Sequence, residues 1–199
     1  MDGIQLYLYQ HAIVHSAEMS GDTDWSFADS VVEGLTEEQM KLRPGPWTNS
    51  IAWLIWHIAR TEDVTMNLLV AGRPQVLAGD GWPERLNLSR RDIGTAMTDE
   101  EVASFSDLAD LAAIRAYRVA VGRRTREIVQ DLTWDDLQQP VDPAGIETLL
   151  SEGALVDRAN RLARFWAGRK KVFMLSMPAT GHAFSHLGEA VSIRRQLGL

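Results

Sequence analysis

The order of apolar and polar residues along the chain has the period of α-helices almost throughout. No run of alternating β-branched residues requires a sheet. In the first segment Ile4, Leu8, His11 and His15 fall on one helical stripe. The pattern predicts helices over about residues 4–19, 25–34, 37–42, 51–70, 99–132 and 154–197.

Start and stop signals agree with this division. Thr36 and Thr98 each precede acidic residues, which are favoured in the first turn of a helix. Asn49 or Ser50 can cap the helix that follows, and Gly198 ends the last helix. Pro178 interrupts the last segment, so either a new helix starts near it or one helix is kinked there.

Two stretches rich in glycine, proline and acidic residues, 72–94 and 133–152, are predicted to be long connections, the second with one helical turn. Four long helices with additional short ones indicate an all-α four-helix bundle. The length of 199 residues suits one domain over 1–199.

The composition of the chain reduces the number of functions that it could have. With 20 basic and 27 acidic residues the net charge is −7, which disfavours a nucleic-acid or anionic membrane surface and favours small molecules or proteins as partners. Cysteine is absent, so histidine and carboxylate side chains must supply any metal ligands. Neither a signal peptide nor an apolar run long enough to span a bilayer is evident, and we expect a cytoplasmic protein.

The strongest chemical signal is the pair His182 and His186, four residues apart. On a helix this spacing brings two imidazoles to one face, close enough to share a divalent ion. The third ligand is expected to be His57, in the middle of the predicted helix over 51–70. Three neutral imidazoles leave a coordination position open, as in catalytic rather than structural sites.

Other residues offer alternatives. His11 and His15 are also four apart, and form either a second metal site or a pair of partly buried imidazoles against a neighbouring helix or subunit. Glu62 and Asp63 are solvated helix charges or acceptors for an imidazole N–H. Glu189, three residues after His186, is an exposed charge, a base, or a group that orients a ligand.

Two distant stretches resemble the DinB-like superfamily of four-helix-bundle metalloproteins, which includes thiol-dependent transferases and a mycothiol-dependent maleylpyruvate isomerase. They are Leu35-Thr-Glu-Glu-Gln-Met with Arg43-Pro-Gly-Pro-Trp through His57, and His182-Ala-Phe-Ser-His-Leu-Gly-Glu-Ala with Arg194-Arg-Gln-Leu-Gly198. The resemblance implies a divalent metal held by His57, His182 and His186. This chain has Gly188-Glu189 where many relatives carry Gly-Gln.

The function implied is a metal-dependent transferase or isomerase that activates a low-molecular-weight thiol at an open site. Zinc or nickel is the expected ion. The connections 72–94 and 133–152 would shape the pocket, and the protein would be a homodimer. A metal-dependent hydrolase, or a non-catalytic metal-binding and stress-associated dimeric bundle, is the alternative.

Overall fold

The computed structural model describes residues 2–21, 23 and 25–199 of the chain. This part is helical, with no β-strand among the described residues beyond one isolated bridge between Pro140 and Lys170. The α-helices are α1 (Gly3–Val14), α2 (Ala17–Ser20), α3 (Phe27–Val32), α4 (Glu37–Lys41), α5 (Ile51–Asp63), α6 (Trp82–Leu86), α7 (Asp99–Leu108), α8 (Leu111–Gln130), α9 (Trp134–Gln138), α10 (Pro143–Ser151), α11 (Arg161–Trp166), α12 (Lys171–Met174) and α13 (His182–Leu197).

Two π-helical segments lengthen these elements. Val64–Ala71 continues α5, and Leu175–Gly181 joins α12 to α13, so residues 171–197 form one unbroken helical run. Pro178 lies inside the second π-helical segment. Its missing N–H therefore falls where the hydrogen-bond register is already altered, and the chain neither stops nor restarts there.

The four long arms of the bundle are α1, α5 with its π-helical extension, α8, and the run from α12 to α13. Helix α5 packs on α8 and α13, while α1 contacts α8 and α13. Every residue of α5 is buried, as expected for the central helix of a bundle. Trp56 and Tyr117 are among the largest fully buried side chains of this core. The all-α four-helix bundle predicted from the sequence is confirmed.

The capping signals are also confirmed. The side chains of Thr36, Ser50 and Thr98 accept hydrogen bonds from backbone N–H groups in the first turns of α4, α5 and α7. Gly198 ends α13 with a φ of 71°, in the left-handed region. Ser50, rather than Asn49, is thus the cap that sets where the central helix begins.

Four of the predicted divisions were wrong. The helix predicted over 154–197 starts only at Arg161, and residues 167–170 separate α11 from α12. The first segment breaks at His15 and Ser16, between α1 and α2. The helix predicted over 99–132 is two helices, because Asp110 caps a new helix by accepting a hydrogen bond from the backbone N–H of Ala113 at 2.9 Å. The stretch 133–152 is not a loop, since α9 and α10 occupy most of it.

The described part of the chain contains no helix with both the length and the apolar character needed to cross a lipid bilayer.

Candidate metal centre

Helices α5 and α13 bring three histidines together. His57 lies two turns after the Ser50 cap, and His182 and His186 lie on the first turns of α13, which packs against α5. One ring nitrogen of each histidine is within 4.8 Å of the others. The ring centroids of the three pairs lie 4.4 to 5.0 Å apart. The residues that the spacing singled out thus form one cluster.

The spacing of the nitrogens suits a metal ion. The Nε2 atoms of His57 and His182 lie 3.1 Å apart. Two nitrogens bound to one ion at about 2.0 to 2.1 Å are separated by about 2.9 Å at a right angle and by about 3.3 Å at a tetrahedral angle. The observed distance lies between these values, so the two side chains need no rearrangement to share an ion.

Hydrogen bonds on the far side of two rings orient them. The Nδ1–H group of His57 donates to the backbone carbonyl of Ile93, and the ring stacks on Trp53 at a centroid distance of 4.5 Å. The Nδ1 atom of His186 is 2.7 Å from Glu189 Oε2. Because these contacts occupy Nδ1, they leave the Nε2 lone pairs of both rings for an ion.

Glu189 is itself held in place. Its Oε1 atom accepts a hydrogen bond from Asn49 Nδ2 at 2.8 Å. Partial burial raises the pKa of the Glu189 carboxyl, but the hydrogen bonds from His186 and Asn49 outweigh it, and the pKa lies below its ordinary value. Glu189 is therefore ionised at neutral pH, and of the alternatives for this residue the contacts match a group that orients His186.

The electrostatic environment keeps two of the imidazoles neutral. Burial, aided by His186, lowers the pKa of His57 to about 3 although the hydrogen bond to Ile93 opposes the shift. Burial and the neighbouring imidazoles lower the pKa of His182 to about 2. The Nδ1 atom of His182 is buried and has no hydrogen-bond partner among the described residues. Neutral, inward-facing nitrogens are the form that a divalent ion requires, so this donor set fits the ion implied by the resemblance.

His11 and His15 form a separate cluster with Glu62. The Nε2 atom of His11 is 2.8 Å from Glu62 Oε1, and that of His15 is 2.8 Å from Glu62 Oε2. All three side chains are fully buried between α1 and α5. The prediction that these two imidazoles are only partly buried is therefore wrong, because both are completely buried. Geometrically this group too could hold a metal ion, but each Nε2 already has a carboxylate oxygen as its partner.

Glu62 and Asp63 are not solvated charges, because both side chains are completely buried. Glu62 does accept imidazole N–H groups, although from His11 and His15 and not from the cluster of His57. Asp63 accepts hydrogen bonds from Arg60 at 2.9 Å and from Tyr117 at 2.5 Å. This buried network was missed from the sequence, where an Arg and an Asp three apart look like an ordinary pair on a helix surface.

Two cavities adjoin His57. One, of about 240 Å³, is lined by Asn49, Trp53, His57, Gly94, Thr95, Ala96, Met97 and Val102. The other, of about 230 Å³, is lined by His57, Thr61, Ile93, Thr95, Leu162, Phe165, Trp166, Phe173, Met177, Pro178 and His182. The end of the connection 72–94 thus contributes to both. The stretch 133–152 lines neither, and its expected role in shaping this pocket was wrong.

Comparisons with known proteins bear on the fold and the family. A family model described as the DinB superfamily matches residues 22–164, a range that includes His57 and ends before His182. A search of curated proteins finds no match. The chain is similar to a solved structure described as a conserved protein from Enterococcus faecalis, with 19% identity, a TM-score of 0.68, and coverage of 100% of this chain and 99% of that one. That likeness concerns the fold alone. Because the family model matches well over half of the 199 residues of this chain, the chain belongs to the DinB superfamily.

Proposed function

We propose that the protein is a metal-dependent transferase or isomerase that activates a low-molecular-weight thiol at the cluster of His57, His182 and His186. The observation that carries the proposal is the convergence of three imidazoles, two held neutral by burial, on a point beside two cavities. A divalent ion held there would lower the pKa of a thiol at its open position. Imidazole ligands suit zinc and nickel, which we take as the first candidates.

The chain's own residues would orient the ligands and keep the site dry. Ile93 and Glu189 hold the His57 and His186 rings by their Nδ1 atoms. Trp53 covers one face of His57, which limits the access of water. In a transfer, the thiol sulfur forms a bond to an electrophilic carbon, the leaving group departs with the electrons of the broken bond, and the thiol proton passes to solvent.

Two separate cavities beside one ligand favour a reaction with two substrates. The cavity beside Asn49 and Thr95 offers polar groups for a thiol compound. The cavity beside Leu162 and Phe173 is largely apolar and suits a different molecule. Hydrolysis by metal-activated water requires one organic substrate only, so the pair of cavities favours group transfer over the hydrolase alternative.

A cobalt-substituted protein tests thiol binding directly. We expect cysteine, glutathione or mycothiol, added one at a time, to produce a thiolate-to-cobalt absorption band with at least one of them, and His182→Ala to abolish it. Conjugation of the same thiol to 1-chloro-2,4-dinitrobenzene should require the ion and stop with chelator. A protein that binds the ion but gives neither signal with any of these thiols would favour the non-catalytic bundle, and metal-dependent ester cleavage would favour the hydrolase. Homodimer formation stays a prediction, to be measured by sedimentation.

A further inference from the structure

The cavity beside His57 and His182 has an unusual lining. Its walls come from the loop before α7, from α11, and from the helical run that includes Phe173 and Met177. Among the described residues no Lys, Arg, Asp or Glu lines it, and its polar side-chain groups are the imidazoles, the indole N–H of Trp166 and the hydroxyls of Thr61 and Thr95. An anionic substrate would therefore lose its hydration there without gaining a cationic partner from the chain.

Thr61 is one of the residues that line this cavity. It lies four residues after His57, on the same face of α5. The residue is only 3% exposed, and its Oγ1 atom has no hydrogen-bond partner among the described residues. A buried hydroxyl without a partner is costly, so a ligand group that reaches it gains a hydrogen bond that the free protein lacks.

The volume limits the size of the ligand. An apolar protein cavity of about 150 Å³ accommodates one benzene molecule. The cavity of about 230 Å³ therefore has room for one aromatic ring with a small substituent. Phe165 and Met177, which line it, are 47% and 49% exposed, so the cavity opens to solvent on an apolar rim.

We propose that this cavity binds the electrophilic substrate and selects a neutral, compact aromatic molecule with one hydrogen-bonding group directed at Thr61. The assignment to the electrophile rests on the proposed function. Binding of the aromatic group itself does not, because it depends on the apolar walls and on Thr61. An experiment can therefore reject the proposed function without rejecting the binding of an aromatic molecule, and the reverse.

Three matched probes test the substrate class: benzyl alcohol, ethylbenzene, which replaces the hydroxyl by a methyl group, and the anion benzoate. Binding is measured by titration and by ligand-observed magnetic resonance, with zinc-loaded and with chelator-treated protein. We expect saturable binding of benzyl alcohol in both forms, and binding of benzoate to the chelator-treated protein at least tenfold weaker. No saturable binding of benzyl alcohol, or benzoate binding as tightly in the chelator-treated form, would overturn the proposal.

Two pairs of variants locate the site. Thr61→Val should weaken benzyl alcohol about fivefold and leave ethylbenzene unchanged. Thr125→Val is its control, because Thr125 is likewise buried with a hydroxyl that has no partner among the described residues.

The second pair tests the apolar rim. Met177→Lys should weaken the binding of both neutral probes, whereas Leu6→Lys, at an equal 49% exposure on α1, should not. Equal effects within either pair would contradict the assignment. If thiol transfer is absent but these differences hold, the proposed function fails and the aromatic site stands.

Discussion

Single hydrogen bonds decide which nitrogen two of the three rings of the cluster present. His57 is fixed by a backbone carbonyl, His186 by the carboxylate of Glu189, and His182 by no hydrogen bond to its Nδ1 among the described residues. That these three histidines could come together was predictable from spacing and from the resemblance; that they bind an ion stays a prediction. The carbonyl of Ile93 was not, because nothing in the sequence says that a loop 36 residues away in the chain returns to His57.

Glu189→Ala should weaken zinc binding about 10- to 100-fold, because His186 loses the acceptor that fixes its orientation. Glu189→Gln should retain most of the affinity, since its amide oxygen can still accept from Nδ1–H. Competition with a chromophoric chelator measures both. Glu38→Ala, at an exposed carboxylate on α4, is the control. Equal affinities of the Ala and wild-type proteins would show that Glu189 does not orient the ligand.

Glu62→Gln should destabilise the protein by about 3 kcal/mol, because an amide cannot accept from both His11 and His15 in a fully buried site. We expect the zinc content to stay unchanged, since the ion is proposed to bind elsewhere. Urea unfolding and metal analysis of the same sample give both quantities. A loss of one ion per chain would instead identify His11, His15 and Glu62 as a second metal site.

At the scale of elements, periodicity predicted which segments are helical better than where they end. The stripe in residues 99–132 continues across the break before α8, because residues on both sides face the same core. The break is made by the local cap at Asp110. Likewise only one helical turn was predicted where α9 and α10 lie, because both helices are short and stand among prolines and acidic residues. Helix α10 even begins at Pro143, a position where proline is favoured.

The loop that carries Ile93 is held tightly against α5. The Ile93 N–H donates to the carbonyl of Ala154 at 3.0 Å, and Asp92 Oδ1 accepts from the N–H of Gly94 at 2.7 Å. Gly94 has a φ of +82°, and a Cβ atom there would lie 2.5 Å from Trp56 Cζ3. Glycine is therefore required by conformation and by space together.

Gly94→Ala should lower the free energy of unfolding by about 2 to 4 kcal/mol and weaken zinc binding, because the loop must shift and take the Ile93 carbonyl with it. Gly34→Ala is the matched control, since Gly34 has a φ of +74° but open space around its Cβ position. It should cost only about 1 kcal/mol and leave metal affinity unchanged. Denaturant unfolding and chelator competition distinguish the two. Similar effects of both substitutions would show that contact with Trp56 is unimportant.

In the molecule as a whole, the bundle brings together two histidines, His57 and His182, that lie 125 residues apart in the chain. It also buries Glu62 and Asp63, for which the sequence allowed solvated positions on a helix, and Arg60 beside them. Such burial depends on which helix faces which, and the pattern of a single helix does not contain that information. The fold class and the clustering of the three histidines were therefore predictable, whereas the buried polar networks were not.

The buried histidines make stability depend on pH. Burial lowers the pKa of His15 to about 4, of His57 to about 3 and of His182 to about 2. The unfolded chain binds protons at these residues near pH 6.5 and the folded chain does not, so stability falls as the pH decreases below about 6.5. The pKa of Glu62 is also lowered, since its histidine partners outweigh the effect of burial, and protonation of this carboxylate in the unfolded chain adds to the loss below about pH 4.5.

For chelator-treated protein we expect the free energy of unfolding to fall by between about 1 and 4 kcal/mol for each unit by which the pH is lowered from 6 to 4. Each of the three histidines contributes up to about 1.4 kcal/mol per pH unit. Urea unfolding at several pH values measures it. With zinc bound, the free energy of unfolding should fall more steeply on acidification, since protons compete with the ion for imidazole. Stability that is constant or rises on acidification would contradict the neutral, buried state of these side chains.

We propose above that His57, His182 and His186 bind one divalent ion. The most direct test is a competition titration with a chromophoric chelator, which gives both stoichiometry and affinity for zinc and for nickel, on the wild type and on His57→Ala, His182→Ala and His186→Ala, with folding checked by circular dichroism. We predict about one ion per chain in the wild type and an affinity reduced at least 100-fold in each variant. Folded variants that retain the ion as tightly as the wild type would contradict the claim.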